Sequence, residues 1–153
     1  MAIRLMFLLR RAPHLTREEF SRHWLNEHAV LAVQADSERR VRRYCQLHAM
    51  DHPTQRAIEA DRQTLPADFD GIAEVTFDSI EQMTGGGRVD AFDAVLKEDE
   101  KRFIDMSRSM VMIVDEHEIN LTTGQPLSQQ GHAAPISKGH FARPFRHTGE
   151  DGC

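Results

Sequence analysis

A chain of 153 residues, 40% of them hydrophobic and 28% charged, has the length and composition of one soluble globular domain. The formal net charge is −5 and the basic residues are scattered, which argues against nucleic acid as a partner. No apolar run is long enough to span a membrane, and two cysteines, Cys45 and Cys153, cannot form a disulfide framework, so we expect a cytoplasmic protein.

The first predicted elements are a strand and a helix. Ile3 to Leu9 is an apolar run that ends before Pro13, which is typical of a strand followed by a turn. Thr16-Arg17-Glu18-Glu19 is a capping box and predicts a helix that runs to about Ala35. The helical period then places five residues on the side that faces the sheet: Phe20, Trp24, Glu27, His28 and Leu31.

The second strand is predicted over Val41 to Met50. Its alternation places polar side chains on one face, namely those of Arg42, Tyr44, Gln46 and His48. The following stretch, 51–68, is polar and has no sustained period, so it is predicted to be a long loop in which Ile58 to Arg62 could form a helical turn.

The remaining elements complete a β-α-β-β-α-β order. Ile72 to Phe77 is the third strand, and Ser79 to Gln82 is a second capping box that opens a helix. Gly85-Gly86-Gly87 should interrupt this helix, and the apolar run Met110 to Val114 is the fourth strand. The predicted fold class is therefore α+β, a ferredoxin-like domain with both helices on one face of an antiparallel sheet.

Two of the strands are too apolar for a sheet that has one solvent-exposed face. Ile3 to Leu9 and Met110 to Val114 are apolar at successive positions, so both of their faces call for burial, and two helices cover only one. We therefore expect a homodimer in which two sheets meet face to face as a dimeric α+β barrel. Four side chains are predicted to line the space between the sheets: Tyr44, Gln46, His48 and Glu74.

Several stretches of this sequence resemble the EthD-like branch of the dimeric α+β barrel proteins. They include Leu5 to Arg11, Thr16 to Phe20, His23-Trp24-Leu25-Asn26-Glu27-His28-Ala29, Arg42 to His48, Phe69 to Glu74, and Asp99 to Ser109 leading to Asp115-Glu116-His117. The resemblance covers most of residues 3–119. It implies a domain over 1–119 and a C-terminal extension over 120–153, which either docks on the partner subunit or is flexible.

The resemblance also implies a small cofactor-independent lyase, isomerase or polyketide cyclase. His28 matches the histidine of the family's tryptophan-to-histidine motif, and imidazole exchanges protons near neutral pH. The other candidate catalytic residues are Glu74, Tyr44 and His48, and the candidate substrate-binding residues are Trp24, Gln46, Glu27 and Met6. The structural alternatives are a core histidine at 28 and a salt bridge from Glu74 to Arg42 or Arg4.

The sequence gives little support to a metal site or another cofactor. His23 and His28 are five residues apart and are not expected to share a helix face, and neither cysteine has a partner at metal-ligand spacing. We therefore predict no metal and no cofactor. Three functions stay open: acid–base catalysis on a small carbonyl, lactone or aromatic compound, binding of a small ligand without chemistry, and, with less support, haem binding through His28 or His48.

Overall fold

The computed structural model describes residues 3–36, 40–84 and 91–127, and for 91–93 the backbone alone. The chain divides after Glu118, and the described residues up to this point belong to one structural unit. Beyond it, Ile119 bridges Pro126 within a turn. The predicted interruption at 85–87 and most of the predicted extension over 120–153 lie outside the described residues, and the boundary near 119 stays a prediction.

The described residues form a four-stranded antiparallel sheet with the order β2-β3-β1-β4. Its strands are β1 (Ile3–Leu9), β2 (Arg43–His48), β3 (Gly71–Phe77) and β4 (Met110–Asp115). The helical segments are α1 (Arg17–His23), α2 (Ala29–Ala35), α3 (Pro53–Arg62), α4 (Ile80–Thr84) and α5 (Ala91–Phe103), with a 3₁₀ turn at Met106–Arg108. The predicted ferredoxin-like α+β fold is confirmed.

A π-turn joins α1 to α2 without a break, over Trp24–His28. The capping box predicted for the start of α1 is present, because the Glu19 amide donates to the Thr16 hydroxyl at 3.2 Å and the Thr16 amide donates to the Glu19 carboxylate at 2.8 Å. In the π-turn the backbone bonds span five residues instead of four, as where the Ala29 amide donates to the Trp24 carbonyl.

The predicted loop over 51–68 contains a helix, α3, and that part of the prediction is wrong. None of the α3 residues is buried, so the helix has no apolar stripe from which a 3.6-residue period could be read. It is stabilised locally instead. Pro53 occupies its first turn, His52 accepts a hydrogen bond from the Thr54 amide at 3.2 Å, and Gln55 donates to Glu59 one turn later.

The sheet has one face toward the helices and one open face. The core lies on the helix-facing side and includes Leu9, Phe20, Trp24, Ala73, Phe103 and Ile104. The open face carries Arg4, Met6 and Leu8 of β1, and residues paired across the register extend it, among them Glu74, Cys45 and Met112.

The last strand is the least covered. Met110, Val111, Met112 and Ile113 are each about half exposed.

Candidate functional site

A cavity of about 750 Å³ lies between the helix-facing side of the sheet and the helices. A volume of this size suits a small organic ligand. Most of its wall is apolar, and polar groups reach it from α5, β2, the π-turn and the segment after α2 that contains Asp36 and Arg40. The wall includes Leu5, Phe7, Trp24, His28, Ala32, Val33, Tyr44, Ala73, Val75, Phe77, Met83, Leu96, Glu100 and Ile104.

His28 lies in the wall of this cavity and is held by a buried carboxylate. Its Nδ1 is 2.9 Å from Oδ2 of Asp99 on α5, and both side chains are buried. A carboxylate only accepts hydrogen bonds, so Nδ1 carries the proton and Nε2 has a free lone pair. Burial lowers the pKa of His28 below its ordinary value of 6.5, while the hydrogen bond to Asp99 acts in the opposite direction.

The same carboxylate also holds His23. Its Nε2 is 3.0 Å from Oδ1 of Asp99, so the two oxygens of Asp99 each face one histidine. The expectation that His23 and His28 do not share a helix face is therefore wrong. In a π-turn the backbone advances about five residues between hydrogen-bonded groups, which brings positions i and i+5 to the same side.

Tyr44 is the second polar group of the cavity wall. Its hydroxyl oxygen accepts a hydrogen bond from Nε1 of Trp24 at 2.9 Å and another from Nε2 of Gln46 at 2.9 Å. Burial raises the pKa of Tyr44 above its ordinary value, although these two hydrogen bonds lower it, and the nearby charge of Glu100 adds to the rise. The phenol is therefore neutral and able to donate near neutral pH.

Gln46 and His48 share a strand face with Tyr44, as predicted, but this face is turned toward α1 and not toward a second sheet. His48 contacts Ser21 through Nδ1 and Gln46 through Nε2, and its ring lies 4.5 Å from the Trp24 ring. Neither Gln46 nor His48 lines the cavity, and burial lowers the pKa of His48. The predicted placement of Tyr44, Gln46 and His48 between two sheets is wrong.

Glu74 and Met6 lie on the opposite face of the sheet. Glu74 pairs in register with Met6 and Cys45, whereas Tyr44 pairs with Val75. The Glu74 carboxylate binds the guanidinium groups of Arg4, at 2.8 Å, and of Arg43. The structure therefore separates Glu74 and Met6 from His28.

The salt bridge considered as the structural alternative for Glu74 is present with Arg4. Arg42 pairs instead with Asp78, at 2.7 Å.

The structure places Trp24 on the buried side of the helical segment and Glu27 on its exposed side. Trp24 is 1% exposed and lines the cavity, as His28 does, and its ring packs at a tilted angle against Phe20 in the core. Glu27 does not face the sheet as predicted, because its side chain is 66% exposed and lies 3.3 Å from Nδ1 of His23. The π-turn changes the helical period between Phe20 and His28, and a uniform period misplaces Glu27.

Two residues of the site are absent from the sequence candidates, Asp99 and Glu100. Asp99 precedes Phe103 by four positions and follows Leu96 by three, so the helical period places a carboxylate on the apolar stripe of α5. That position is a signal that the sequence offers. A buried carboxylate needs a partner, and an unpaired histidine on the neighbouring helix is the natural one.

The described residues contain neither a cluster of metal-ligating side chains nor a helix that could span a membrane. Within 3–36, 40–84 and 91–127, His, Cys, Asp and Glu side chains form no group of three or more that could hold a metal ion. In the same ranges every helix is too short or too polar for a membrane span.

Comparisons with known proteins agree with this fold. In a search of solved structures, the chain is similar to an ethyl tert-butyl ether d (EthD) family protein from Bacillus halodurans C-125, at 20% identity and a TM-score of 0.54, over 76% of this chain and 99% of that one. It is similar to a dimeric protein of unknown function with a ferredoxin-like fold from Bacteroides fragilis NCTC 9343, at 7% identity and a TM-score of 0.52, over 75% and 96%. A hypothetical Arabidopsis thaliana protein has 12% identity and a TM-score of 0.51, over 78% and 91%.

At these identities the structural likeness shows the fold alone. No curated protein matches the chain. The family is shown by sequence, because the model of the EthD domain matches residues 12–107, which is more than half of the chain. The chain therefore belongs to the EthD domain family.

Proposed function

We propose that this protein is a cofactor-independent enzyme that moves protons at an activated carbon of a small carbonyl, lactone or aromatic, polyketide-like compound. The observation that carries the proposal is the pairing of His28 with Asp99 in the wall of a mostly apolar cavity that Tyr44 also lines. The other predicted catalytic residues, Glu74 and His48, are not needed in this scheme.

The chemistry follows from two of the polar side chains in the wall, His28 and Tyr44. Nε2 of His28 takes a proton from the carbon next to a carbonyl, and the electron pair of the broken C–H bond moves toward the carbonyl oxygen. Tyr44 donates a hydrogen bond to that oxygen as its negative charge develops. His28 then returns the proton to another carbon, which gives isomerisation, or to a departing hydroxyl group, which gives dehydration.

Asp99 supports this chemistry from behind His28. By accepting a hydrogen bond from Nδ1–H, Asp99 fixes the tautomer in which Nε2 is basic, and it stabilises the imidazolium formed after proton transfer. The lowered pKa of His28 keeps the ring neutral near pH 7, which is the form that a general base requires. The largely apolar wall lowers the local dielectric constant and so strengthens both electrostatic interactions.

Deuterium exchange tests the proposal without knowledge of the natural substrate. A panel of 2-tetralone, a butenolide and an acetyl naphthol is incubated in heavy water, and NMR follows the loss of the acidic C–H signals. We expect the wild-type protein to accelerate exchange of at least one compound above the buffer rate, and His28→Gln to lose that acceleration, typically 10²-fold or more.

The same experiment separates the alternative, a ligand-binding protein without chemistry. Trp24 is the single tryptophan of the chain and lines the cavity, so quenching of its fluorescence reports binding. Quenching without exchange for every compound would favour the binding function. Haem binding through His48 has less support, because both nitrogens of that ring already have hydrogen-bond partners.

We also propose that the chain forms a homodimer through the open face of the sheet. This face holds the Arg4–Glu74–Arg43 ion pairs beside apolar side chains of β1 and β4 that are partly exposed. The similar protein from Bacteroides fragilis is described as dimeric. Covering this face with a second copy would bury its apolar area and complete an α+β barrel.

A further inference from the structure

We infer that Gln46 and His48 are positioning residues which direct the proton of the Tyr44 hydroxyl into the cavity, so that the site takes ligands that present a carbonyl or enolate oxygen there. The inference rests on the proposed function for its use, but the arrangement of protons follows from the hydrogen bonds alone. The sequence predicts substrate binding for Gln46 and catalysis for His48, whereas in this arrangement both residues orient Tyr44 and do not contact the substrate.

The orientation of the Gln46 amide is set by a backbone carbonyl. One end of the amide is 2.9 Å from the Trp24 carbonyl oxygen, and a carbonyl only accepts, so this end is the NH₂ group. The π-turn brings this carbonyl into play, because it also accepts the five-residue bond from the Ala29 amide. With NH₂ on this side, the amide oxygen faces Nε2 of His48, at 3.1 Å.

The tautomer of His48 follows from the amide oxygen. Oε1 of Gln46 only accepts, so Nε2 of His48 carries a proton, and in the neutral ring Nδ1 accepts from the Ser21 hydroxyl. A protonated His48 would keep the same Nε2–H group. His48 therefore holds the Gln46 amide in one orientation in either charge state.

The proton of Tyr44 is the one group of this network without a partner among the described residues. The hydroxyl oxygen receives N–H groups from Trp24 and from Gln46, each at 2.9 Å, so its own proton cannot point at either. Because Tyr44 lines the cavity, that proton is available to an acceptor inside it. A ligand oxygen that gains negative charge during reaction would bind this donor most strongly.

Gln46→Glu reverses the arrangement at nearly constant shape. A carboxylate cannot donate to Tyr44, so the Tyr44 proton would turn toward residue 46 and leave the cavity. The probe is 2-tetralone labelled with ¹³C at the carbonyl, and its C=O stretch is measured by infrared difference spectroscopy in the bound state. A hydrogen bond from Tyr44 lowers the stretching frequency relative to that of the ketone in hexane.

We expect the lowered frequency in the wild-type protein and in Gln34→Glu, a control that adds the same charge at an exposed position of α2. We expect it to be lost in Tyr44→Phe and in Gln46→Glu, with no further change in the double variant. An unchanged frequency in Gln46→Glu, or a ketone that does not quench Trp24 in the wild-type protein, would overturn the inference.

A second pair of variants serves if Gln46→Glu does not fold. His48→Phe keeps a ring beside Trp24 but removes the N–H donor to Gln46, whereas His48→Gln restores such a donor. We expect a weakened frequency shift in the first variant and rescue in the second, a pattern that loss of packing would not produce. Equal shifts in both would contradict the positioning role.

The proposed function can fail while this inference holds. A frequency shift without deuterium exchange would support the orientation of the Tyr44 proton and would argue against His28 as a base.

Discussion

At the residue scale, the site depends on one buried carboxylate. Asp99 is 5% exposed, and both of its oxygens are occupied by imidazole rings from the helical segment across from it. A buried carboxylate without such partners would be strongly destabilising, so Asp99, His23 and His28 are explained only as a group. The sequence shows that His28 is a polar residue on an otherwise apolar side of its helix. Its partner, Asp99, lies on another helix, and spacing along the chain does not show which helices are in contact.

The burial of His28 and the partial burial of His48 should make the stability of the protein sensitive to acid. Burial lowers the pKa of His28 and of His48, so between those lowered values and 6.5 the unfolded chain binds more protons than the folded one. The free energy of unfolding should therefore rise with pH across this window. The contribution of the two histidines to this rise should be complete above about pH 6.5. Urea unfolding at pH 5.5 and 7.5 measures the difference.

We expect that difference to be smaller in His28→Asn, which removes one of the two titrating groups. His117→Asn is the matched control for the removal of a histidine, because the His117 side chain is 70% exposed. A wild-type protein that becomes more stable as the pH falls from 7.5 to 5.5 would contradict the assignment of neutral, buried rings.

At the element scale, the π-turn is the feature that the sequence does not predict. The capping box at Thr16 predicts where the helical segment begins, and the apolar period identifies Phe20 and Trp24 as buried. No residue pattern of this kind marks the point where the backbone hydrogen bonds begin to span five residues. A uniform helical period therefore misplaces Glu27 and puts His23 and His28 on different faces. Interruptions of this kind are frequent at functional sites.

The contact between β3 and the π-turn leaves no room for a side chain at Gly71. A Cβ atom there would lie 2.5 Å from Cζ3 of Trp24 and 2.8 Å from the Leu47 carbonyl oxygen. We expect Gly71→Ala to lower the free energy of unfolding by about 1–3 kcal/mol, the usual cost of overpacking. Denaturant unfolding followed by Trp24 fluorescence measures it.

A smaller ring at position 24 provides the control for this contact. In a Trp24→Phe background, followed by circular dichroism, Gly71→Ala should cost less than in the wild-type chain, because the atoms nearest to the new methyl group are gone. Equal costs in both backgrounds would show that Trp24 does not set the requirement for glycine.

At the scale of the whole molecule, the order of strands and helices along the chain is predictable from the sequence and the position of the site is not. Alternating apolar runs and two capping boxes are local signals, and together they lead to the ferredoxin-like order. Which strand face looks toward the helices depends on the register, in which Tyr44 pairs with Val75 while Cys45 pairs with Glu74. Alternation within each strand does not reveal how neighbouring strands are paired. Without this register, the alternation predicts Glu74 and Tyr44 on the same face of the sheet.

The separation of cavity and open face predicts that assembly and ligand binding can be uncoupled. Met112 is on the open face and half exposed. Light scattering should give twice 17.5 kDa for the wild-type chain and 17.5 kDa for Met112→Arg, which places a charge in the proposed interface. The monomeric variant should still quench Trp24 fluorescence on binding 2-tetralone.

An exposed position outside the sheet supplies the control. Leu65, between α3 and β3, is 89% exposed, and Leu65→Arg should leave the particle mass unchanged. Loss of ligand binding together with dimerisation would place the second copy in the binding site and contradict a cavity formed within one protomer.

The proposed chemistry depends most directly on the protonation of the His28 ring, which long-range ¹H–¹⁵N NMR measures without a substrate. At pH 7.5 we expect His28, identified by comparison with His28→Gln, to be neutral with its proton on Nδ1 and to titrate below 6.5. In Asp99→Asn the preference for this tautomer should be lost. A His28 ring that carries its proton on Nε2, or that is an imidazolium at pH 7.5, would have no base to offer the cavity and would contradict the proposed role of His28.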